Sequence, residues 1–339
     1  MPTKILIIQT AFLGDAILTL PLIQAAYKKY ENPSIDVICT PATKDIFDSS
    51  PYVNEIFILD KKKQHRSFIK TVQFALSIRK KNYGFLFSPH RSFRTSLIVM
   101  LSGAKNKSGF DIASLSFVYS KKIKYRKDFH EVRRNLSLLE DDYFMNNWKI
   151  LPECKPETDG SFADLEISDE EKLIAVAPGS VWETKKYPDQ YYAGVINGLS
   201  NQGYKIILIG GREDKDLCEN IRKKTTVPEK VLNLAGKLSL MQSVSILKKC
   251  KLLICNDSAP THLGMCADIP VLTLYCSTVA DFGFYPYNGK SSFLSYDDLD
   301  CKPCGIHGRA KCPINTFDCG NKLLPSAVLN KANEILKKN

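Results

Sequence analysis

Residues 252–278 read LLICNDSAPTHLGMCADIPVLTLYCST, and this stretch decides the fold. A short apolar run leads into a polar break at residues 256–260, small and apolar residues extend to about Ala267, and a second apolar run occupies residues 271–275. This pattern predicts a strand, a tight loop, a helix and a second strand, which is the repeating unit of a parallel α/β sheet. Ser258 suits the N-cap of that helix.

The loop before this helix directs backbone N–H groups and the positive end of the helix toward one point. Phosphate and diphosphate groups bind at such points. The alternative is an ordinary turn in which Asp257 or Ser258 only caps the helix. Residues 252–278 alone are compatible with both interpretations.

The composition is that of a globular protein with a strong positive charge. A chain of 339 residues exceeds the size that one hydrophobic core commonly supports, so two domains are expected. The hydrophobic content of 44% and charges of both signs argue against a disordered chain. The net charge of +11 indicates an anionic partner, such as nucleic acid, an acidic membrane surface or a phosphorylated substrate.

The first residues lead directly into a short apolar run, 5–8, which is too short for the core of a signal peptide. No apolar stretch reaches the length of a membrane span. Most of the eleven cysteines are scattered in apolar contexts and are interpreted as reduced thiols in a protein core. These features predict a cytosolic protein.

The positive charge is concentrated between residues 61 and 134, where 19 lysines and arginines stand against three acidic residues. Such a surface would attract anionic phospholipid or a phosphorylated acceptor, at about 1 kcal/mol per basic residue near an acidic membrane. The charge suits nucleic acid equally well. No RNP, zinc-finger or helix-turn-helix motif supports that alternative, and we expect no nucleic-acid partner.

The first half of the chain predicts an α/β domain whose first strand ends in a loop containing Gly14 and Asp15. One glycine does not make a dinucleotide-binding fingerprint, and no Walker A motif is present. Gly14 permits close approach of a ligand to the backbone. Asp15 lies at the carboxyl end of a strand, where open α/β sheets bind ligands. It is either a helix N-cap or a general base.

A second α/β series begins near Leu173, after an irregular segment at 151–164 that contains two prolines and one glycine. Its strands end in the polar loops 179–180, 210–211 and 256–258. Because the carboxyl ends of parallel strands share one edge of a sheet, these loops predict a nucleotide-diphosphate pocket. The whole pattern predicts two Rossmann-like domains that face a central cleft.

Five motifs in this order resemble a known family: KILIIQTAFLGDAILTLP (4–21), APGS with TKKYP (177–188), ILIGGRED (207–214), NLAGKLSL (233–240) and CNDSAPTHL (255–263). They are similar to glycosyltransferase family 9, the ADP-heptose:lipopolysaccharide heptosyltransferases, in particular those of the heptosyltransferase II type. The similarity runs over nearly the whole chain. It implies a GT-B fold and an inverting, metal-independent transfer of heptose from ADP-L-glycero-D-manno-heptose to the inner core of lipopolysaccharide.

The resemblance also implies roles for individual residues. Asp15 matches the proposed catalytic base, and Lys185 matches a cation that offsets charge on the departing diphosphate. The positions that match donor contacts are Gly14, Ser180, Lys185, Gly211, Glu213, Asp257, Ser258, Ala259 and His262. The match around Glu213 is looser, so Asp214 is an alternative there, and many relatives have glycine where Ala259 stands.

The basic positions that match acceptor contacts are Lys61, Lys62, Arg66, Arg91, Lys121, Lys122 and Arg134. The implied partners are an ADP-sugar donor, a phosphorylated lipopolysaccharide core and the cytoplasmic face of the inner membrane. Closure of the two domains would bring Asp15 to the sugar. A GT-B enzyme that uses a UDP-sugar and a non-catalytic protein that binds anionic lipid or nucleic acid are the alternatives.

Four cysteines near the C-terminus, Cys301, Cys304, Cys312 and Cys319, have a spacing typical of a structural zinc site. Disulfides and free thiols are the alternatives, and the family resemblance implies no zinc for catalysis. We expect an acceptor domain at 1–160, a donor domain at 161–322 and a last helix at 323–339 that packs back on the first domain.

Overall fold

The computed structural model describes residues 2–155 and 171–339, which cluster into two compact units, Met1–Lys155 and Pro156–Asn339. The predicted boundary at 160/161, and most of the irregular segment before it, lie outside the described residues.

The first unit is a six-stranded sheet with helices between its strands. Its strands are β1 (Thr3–Ile8), β2 (Pro33–Cys39), β3 (Glu55–Ile58), β4 (Phe85–Ser88), β5 (Asn106–Phe110) and β6 (Lys121–Ile123). Its helices are α1 (Leu13–Ile17), α2 (Leu20–Lys29), α3 (Lys44–Asp48), α4 (Phe68–Arg79), α5 (Phe93–Leu101), α6 (Glu131–Ser137) and α7 (Asp142–Asn146).

The second unit repeats this plan with a second six-stranded sheet. Its strands are β7 (Leu173–Ala177), β8 (Lys205–Leu208), β9 (Val231–Asn233), β10 (Cys250–Asn256), β11 (Val271–Tyr275) and β12 (Ser292–Ser295). Its helices are α8 (Asp189–Ser200), α9 (Lys215–Lys224), α10 (Leu240–Lys249), α11 (Ala259–Ala267), α12 (Asp318–Asn321) and α13 (Pro325–Lys338).

Both sheets are parallel and have the same strand order. The order is β3-β2-β1-β4-β5-β6 in the first unit and β9-β8-β7-β10-β11-β12 in the second. The central strands are continuous apolar runs, and all five residues of β7 are buried, because helices cover both faces of such a sheet. The predicted pair of parallel, Rossmann-like α/β domains is confirmed.

Two predicted helices are each split in the structure. The sequence from Ala16 to Tyr30 is typical of one continuous helix, but α1 ends at Ile17 and α2 begins at Leu20, with Pro21 in its first turn. A proline inside a helix would remove an N–H donor and clash with the preceding turn, so the helix restarts there. The sequence from 130 to 144 likewise predicts one helix, but the structure has α6 and α7 there, separated at Glu140, whose φ of 49° is left-handed.

The C-terminal helix belongs to the second unit. Val328, Ala332 and Ile335 of α13 are buried in the same hydrophobic core as β7, β8 and α8. The small residue Gly198 of α8 lets Leu329 approach the helix backbone closely. Residues 325–338 therefore contribute to the core of the second unit, and the predicted packing of residues 323–339 on the first domain stays a prediction.

No helix within residues 2–155 or 171–339 is both long enough and apolar enough to cross a membrane.

Candidate active site

The strand order of the second sheet reverses between β7 and β10, and open α/β sheets bind ligands at such a reversal, beyond the carboxyl ends of the strands. These two strands are direct neighbours, with Ala177 paired to Cys255. The loop that follows β7 carries Ser180 and Lys185. The loop that follows β10 carries Asp257, so the fold brings these predicted donor residues together.

Lys185 and Asp257 form an ion pair at this position. The Lys185 ammonium lies 2.7 Å from Asp257 Oδ2, and the two side chains are only 13% and 11% exposed. The hydroxyl of Thr278, just beyond β11, donates a second hydrogen bond of 2.7 Å to the same oxygen. The Asp257 carboxylate therefore binds both Lys185 and Thr278, and it is not a simple N-terminal cap of the helix that follows.

The side chain of Asn256, the last residue of β10, joins the two loops. Its amide donates to the Pro178 carbonyl at 2.7 Å, and its oxygen accepts from the Tyr187 N–H at 3.0 Å and the Tyr192 hydroxyl at 2.9 Å. Tyr187 and Tyr192 flank the start of α8. The loop after β7 is thus bound at both ends to the end of β10.

The start of α11 faces the same loops. Ser258 has the extended backbone of an N-cap, but its hydroxyl makes no capping bond and lies 3.4 Å from the Gly179 carbonyl and 3.3 Å from that of Asn256. Ala259 begins the helix, and His262 is buried one turn further on. The N-terminal end of α11, a nine-residue helix, carries a partial positive charge. It lies at the same edge of the sheet as the Lys185–Asp257 ion pair.

The loop after β8 supplies the remaining predicted donor residues. Asp214 turns inward: its carboxylate accepts from the Gly211 N–H at 3.0 Å and lies where a Cβ on Gly179 would be. Burial, and secondarily the charge of Glu213, raises the pKa of Asp214. Glu213 itself is exposed, so it is the better placed of the two acids to meet a ligand in solution.

Asp15 lies in the first turn of α1, directly after β1 of the first sheet, and not in the loop where the sequence placed it. Gly14 precedes it within the same short helix. Asp15 Oδ2 accepts from the Phe12 N–H at 3.3 Å, and its carbonyl accepts from the Thr19 hydroxyl at 2.8 Å. The first sheet also reverses its strand order beside β1, which has the same place in its sheet as β7 has in the second. Asp15, which follows β1, therefore corresponds in position to Lys185, which follows β7.

A buried charge network surrounds Asp15. Burial, followed by the negative charge of Glu131, raises the pKa of Asp15 to about 7, whereas Arg91 acts in the opposite direction. Glu131 is paired with Arg134 at 2.9 Å, and both are almost fully buried. The guanidiniums of Arg91 and Arg134 lie 4.2 and 4.9 Å from the centre of the Tyr125 ring. Arg134, predicted as an acceptor contact, is thus held inside this network.

A second polar group lies at the same edge of the first sheet. Lys61 donates to the Thr10 carbonyl at 2.7 Å, and the Thr10 hydroxyl lies 3.0 Å from His90 Nδ1, which is 2.6 Å from the Thr95 hydroxyl. Burial, followed by the charges of Lys61 and Arg91, lowers the pKa of His90 to about 4, so this ring is neutral at physiological pH. Sequence reasoning missed His90, although a polar residue just past a buried strand was an available signal.

The other predicted acceptor residues lie on the surface. Lys62, Arg66, Lys121 and Lys122 are exposed, and Lys121 is paired with Glu140. Their place in recognition stays a prediction.

The four C-terminal cysteines are free thiols, so the disulfide alternative is not formed in the structure. Burial raises the pKa of Cys304, and the neighbouring Cys301 and Cys312 raise it further, so these residues lie near one another. Within residues 2–155 and 171–339, however, no three His, Cys, Asp or Glu side chains are grouped closely enough to hold a metal ion. The structural zinc site stays a prediction without support from the side-chain placement.

Comparison with known proteins agrees with this geometry. The sequence profile of glycosyltransferase family 9 (heptosyltransferase) matches residues 71–311. The lipopolysaccharide heptosyltransferase 2 of Salmonella typhimurium is 25% identical over 82% of this chain and 84% of its own. A family 9 glycosyltransferase from Veillonella parvula superposes with a TM-score of 0.87 at 20% identity, over 99% of this chain and 98% of its own.

The ADP-heptose lipopolysaccharide heptosyltransferase II of E. coli superposes with a TM-score of 0.81 at 21% identity, over 99% of each chain. The two parallel six-stranded α/β units show that the chain has the GT-B fold of these relatives. The chain belongs to glycosyltransferase family 9.

Proposed function

We propose that this protein is an inverting glycosyltransferase that moves heptose from ADP-L-glycero-D-manno-heptose to the inner core of lipopolysaccharide, and that this transfer needs no metal ion. The observation that carries the proposal is the Lys185–Asp257 pair, at the reversal of strand order and beside the start of α11. The names of the relatives, lipopolysaccharide heptosyltransferase 2 and ADP-heptose heptosyltransferase II, supply the sugar and the nucleotide.

In this mechanism a hydroxyl oxygen of the acceptor attacks the anomeric carbon of the heptose. The bond between that carbon and the diphosphate oxygen breaks, and its electron pair leaves with ADP. The hydroxyl proton passes to the Asp15 carboxylate. Attack on the face opposite the leaving group inverts the configuration at the anomeric carbon.

The second unit supports the departure of ADP. The Lys185 ammonium and the N-terminal end of α11 offset negative charge on the diphosphate, and such electrostatic stabilisation is commonly the largest catalytic contribution. Because Lys185 is already an ion-pair partner of Asp257, a diphosphate would share its ammonium with that carboxylate.

The first unit supports base catalysis. A general base is most effective when its pKa lies near the working pH. The pKa of Asp15, raised to about 7 by burial and by Glu131, meets this condition. The buried ion pair with Arg134 fixes Glu131, whose negative charge contributes to the raised pKa of Asp15.

The donor nucleotide is tested by titrating the purified protein with ADP, UDP and GDP while its melting temperature is measured. ADP is expected to stabilise the protein at concentrations at which UDP and GDP do not, because a ligand at 100 times its Kd adds about 2.7 kcal/mol to the free energy of unfolding. A preference for UDP would keep the fold and replace the heptose donor by a UDP-sugar. Polyanion binding with no response to any nucleotide would favour a non-catalytic binding protein.

We also propose that the enzyme works on the cytoplasmic face of the inner membrane. Three exposed apolar side chains, Phe68 (61% exposed), Ile69 (68%) and Phe93 (54%), stand at the first turns of α4 and α5. Arg94 joins these two helix starts by donating to the Arg66 carbonyl at 3.1 Å. Exposed apolar side chains within a basic surface are typical of proteins that lie on anionic bilayers.

The membrane proposal predicts sedimentation of the protein with phosphatidylglycerol vesicles but not with phosphatidylcholine vesicles. Replacing Phe68 and Ile69 together with serine should weaken this binding by tenfold or more, since burying each such side chain is worth about 1.5–3 kcal/mol. Ile314→Ser, an equally exposed apolar residue of the second unit (53%), is the matched control and should bind normally. Equal binding of the double variant and the control would contradict the proposal.

A further inference from the structure

The cysteine-rich segment, residues 301–312, is attached to the loop that carries Lys185. The contact is made by Thr184, whose hydroxyl donates to the Arg309 carbonyl at 3.1 Å. The same hydroxyl accepts from the Arg309 N–H at 2.7 Å and from the Ser277 hydroxyl at 2.9 Å. The Thr184 N–H donates to the Arg309 carbonyl as well, at 3.0 Å.

These contacts saturate the Thr184 side chain. A threonine hydroxyl has one proton to donate and two lone pairs that accept, and all three are used here. Since Thr184 is buried, water does not readily replace a lost partner, and leaving a buried donor unsatisfied costs about 1–3 kcal/mol. The position of Thr184 is therefore set by the cysteine-rich segment and by Ser277.

Gly308 of the same segment packs on Lys185 itself. A Cβ at position 308 would lie 3.0 Å from Lys185 Cγ and 3.0 Å from the Ser277 hydroxyl, and the φ of Gly308 is +76°. The left-handed backbone strongly favours glycine here, and a larger residue would also have to displace the Lys185 or Ser277 side chain slightly. The cysteine-rich segment thus contacts the residue before Lys185 and the aliphatic part of Lys185.

The Lys302 side chain and the Cys304 backbone anchor the segment to the sheet. The Lys302 side chain is only 2% exposed, and its ammonium donates to the carbonyls of Tyr275 and Tyr296, both at 3.0 Å. The Cys304 N–H donates to the Ser277 carbonyl at 2.9 Å. A buried ammonium requires such partners. These contacts therefore hold the segment in one position at the carboxyl ends of β11 and β12.

We propose that residues 301–312 act as a positioning segment for Lys185, holding its ammonium on Asp257 at the donor site. The segment acts on Lys185 through Thr184 and Gly308. The identity of the ligand rests on the proposed function, whereas the placement of Lys185 can be measured without any ligand.

The test compares Thr184→Val with Thr184→Ser. Valine keeps the shape of threonine and removes the hydroxyl, and serine restores the hydroxyl. The rate at which an amine-reactive acylating reagent modifies Lys185 is measured by mass spectrometry in the full chain without ligand. Kd values for ADP and for adenosine are measured in parallel, because only ADP carries the diphosphate that Lys185 would meet.

Thr184→Val is expected to let Lys185 react several-fold faster and to raise the Kd for ADP by about tenfold, the effect of one lost buried hydrogen bond. Its Kd for adenosine should be unchanged, and Thr184→Ser should match the original protein in every measurement. Gly308→Ala should reproduce the valine result without altering any hydroxyl.

A lower melting temperature with unchanged Lys185 reactivity would overturn the proposal and leave the segment a purely structural role. Failure of the unaltered protein to bind ADP, with Lys185 still more reactive in Thr184→Val, would refute the proposed donor and uphold the positioning role. These measurements therefore distinguish failure of the positioning role from failure of the proposed ADP donor.

Discussion

Asp15→Asn is expected to slow heptose transfer by about 10²- to 10⁴-fold, the usual contribution of a general base. Asparagine has nearly the same shape but cannot take the acceptor's proton. The Kd for ADP should be unchanged, because the proposed diphosphate contacts belong to the second unit. Steady-state transfer and calorimetric ADP binding measure the two effects, and near-normal transfer by the folded variant would eliminate Asp15 as the base.

The pH dependence provides the control for this variant. The unaltered enzyme should gain kcat/KM as pH rises through about 7, because only ionised Asp15 accepts a proton, and Asp15→Asn should lack this rise. The pKa of Asp15 is raised from 3.8 to about 7 in the folded state. Between pH 3.8 and about 7 the folded protein therefore keeps a proton on Asp15 that the unfolded chain has lost. Ionisation of Asp15 therefore destabilises the fold as pH rises through this range. Asp15→Asn should raise the melting temperature more at pH 8 than at pH 5.

Lys185→Gln is expected to lower kcat by about 10²- to 10³-fold, comparable to the loss of one electrostatic contact to a departing group. ADP should bind more weakly, while adenosine should bind as before. The variant also leaves the Asp257 carboxylate without its cation in a nearly buried position, which should cost up to about 3 kcal/mol of folding free energy. Single-turnover transfer and thermal unfolding separate the two consequences.

The double variant Lys185→Gln, Asp257→Asn is the matched control. Two neutral amides can keep a hydrogen bond where the ion pair stood, so the melting temperature should recover. Transfer should stay slow, because no cation faces the diphosphate. Recovery of transfer together with stability would assign Lys185 a structural role only.

Most of the strands of the fold could be predicted from apolar runs in the sequence. Apolar runs such as 173–177 and 252–255 are long enough, and free enough of polar breaks, to indicate strands covered on both faces. The short strands β5, β6 and β12 were not predicted, since NKSGF, KKI and SFLS carry polar residues and owe their strand structure to pairing with a neighbour. Local pattern contains no information about such pairing.

The candidate site was predictable where a motif follows a strand. Asp15, Lys185 and Asp257 each follow a buried run, and the parallel topology places Asp15 at one edge of the first sheet and Lys185 and Asp257 at the corresponding edge of the second sheet. Contacts between distant segments were not predictable. Glu131 beside Asp15, and Arg309 on Thr184, are separated by more than a hundred residues along the chain, and no periodicity connects them.

The three hydrogen bonds of Asn256 bear on the thermodynamics of donor binding. They hold the loop after β7 and the end of β10 in one arrangement before any ligand arrives. A nucleoside diphosphate would then meet preorganised loops, and little conformational entropy would be lost when it binds. Affinity in such a site reflects the enthalpy of its phosphate contacts more directly than affinity in a site that must first become ordered.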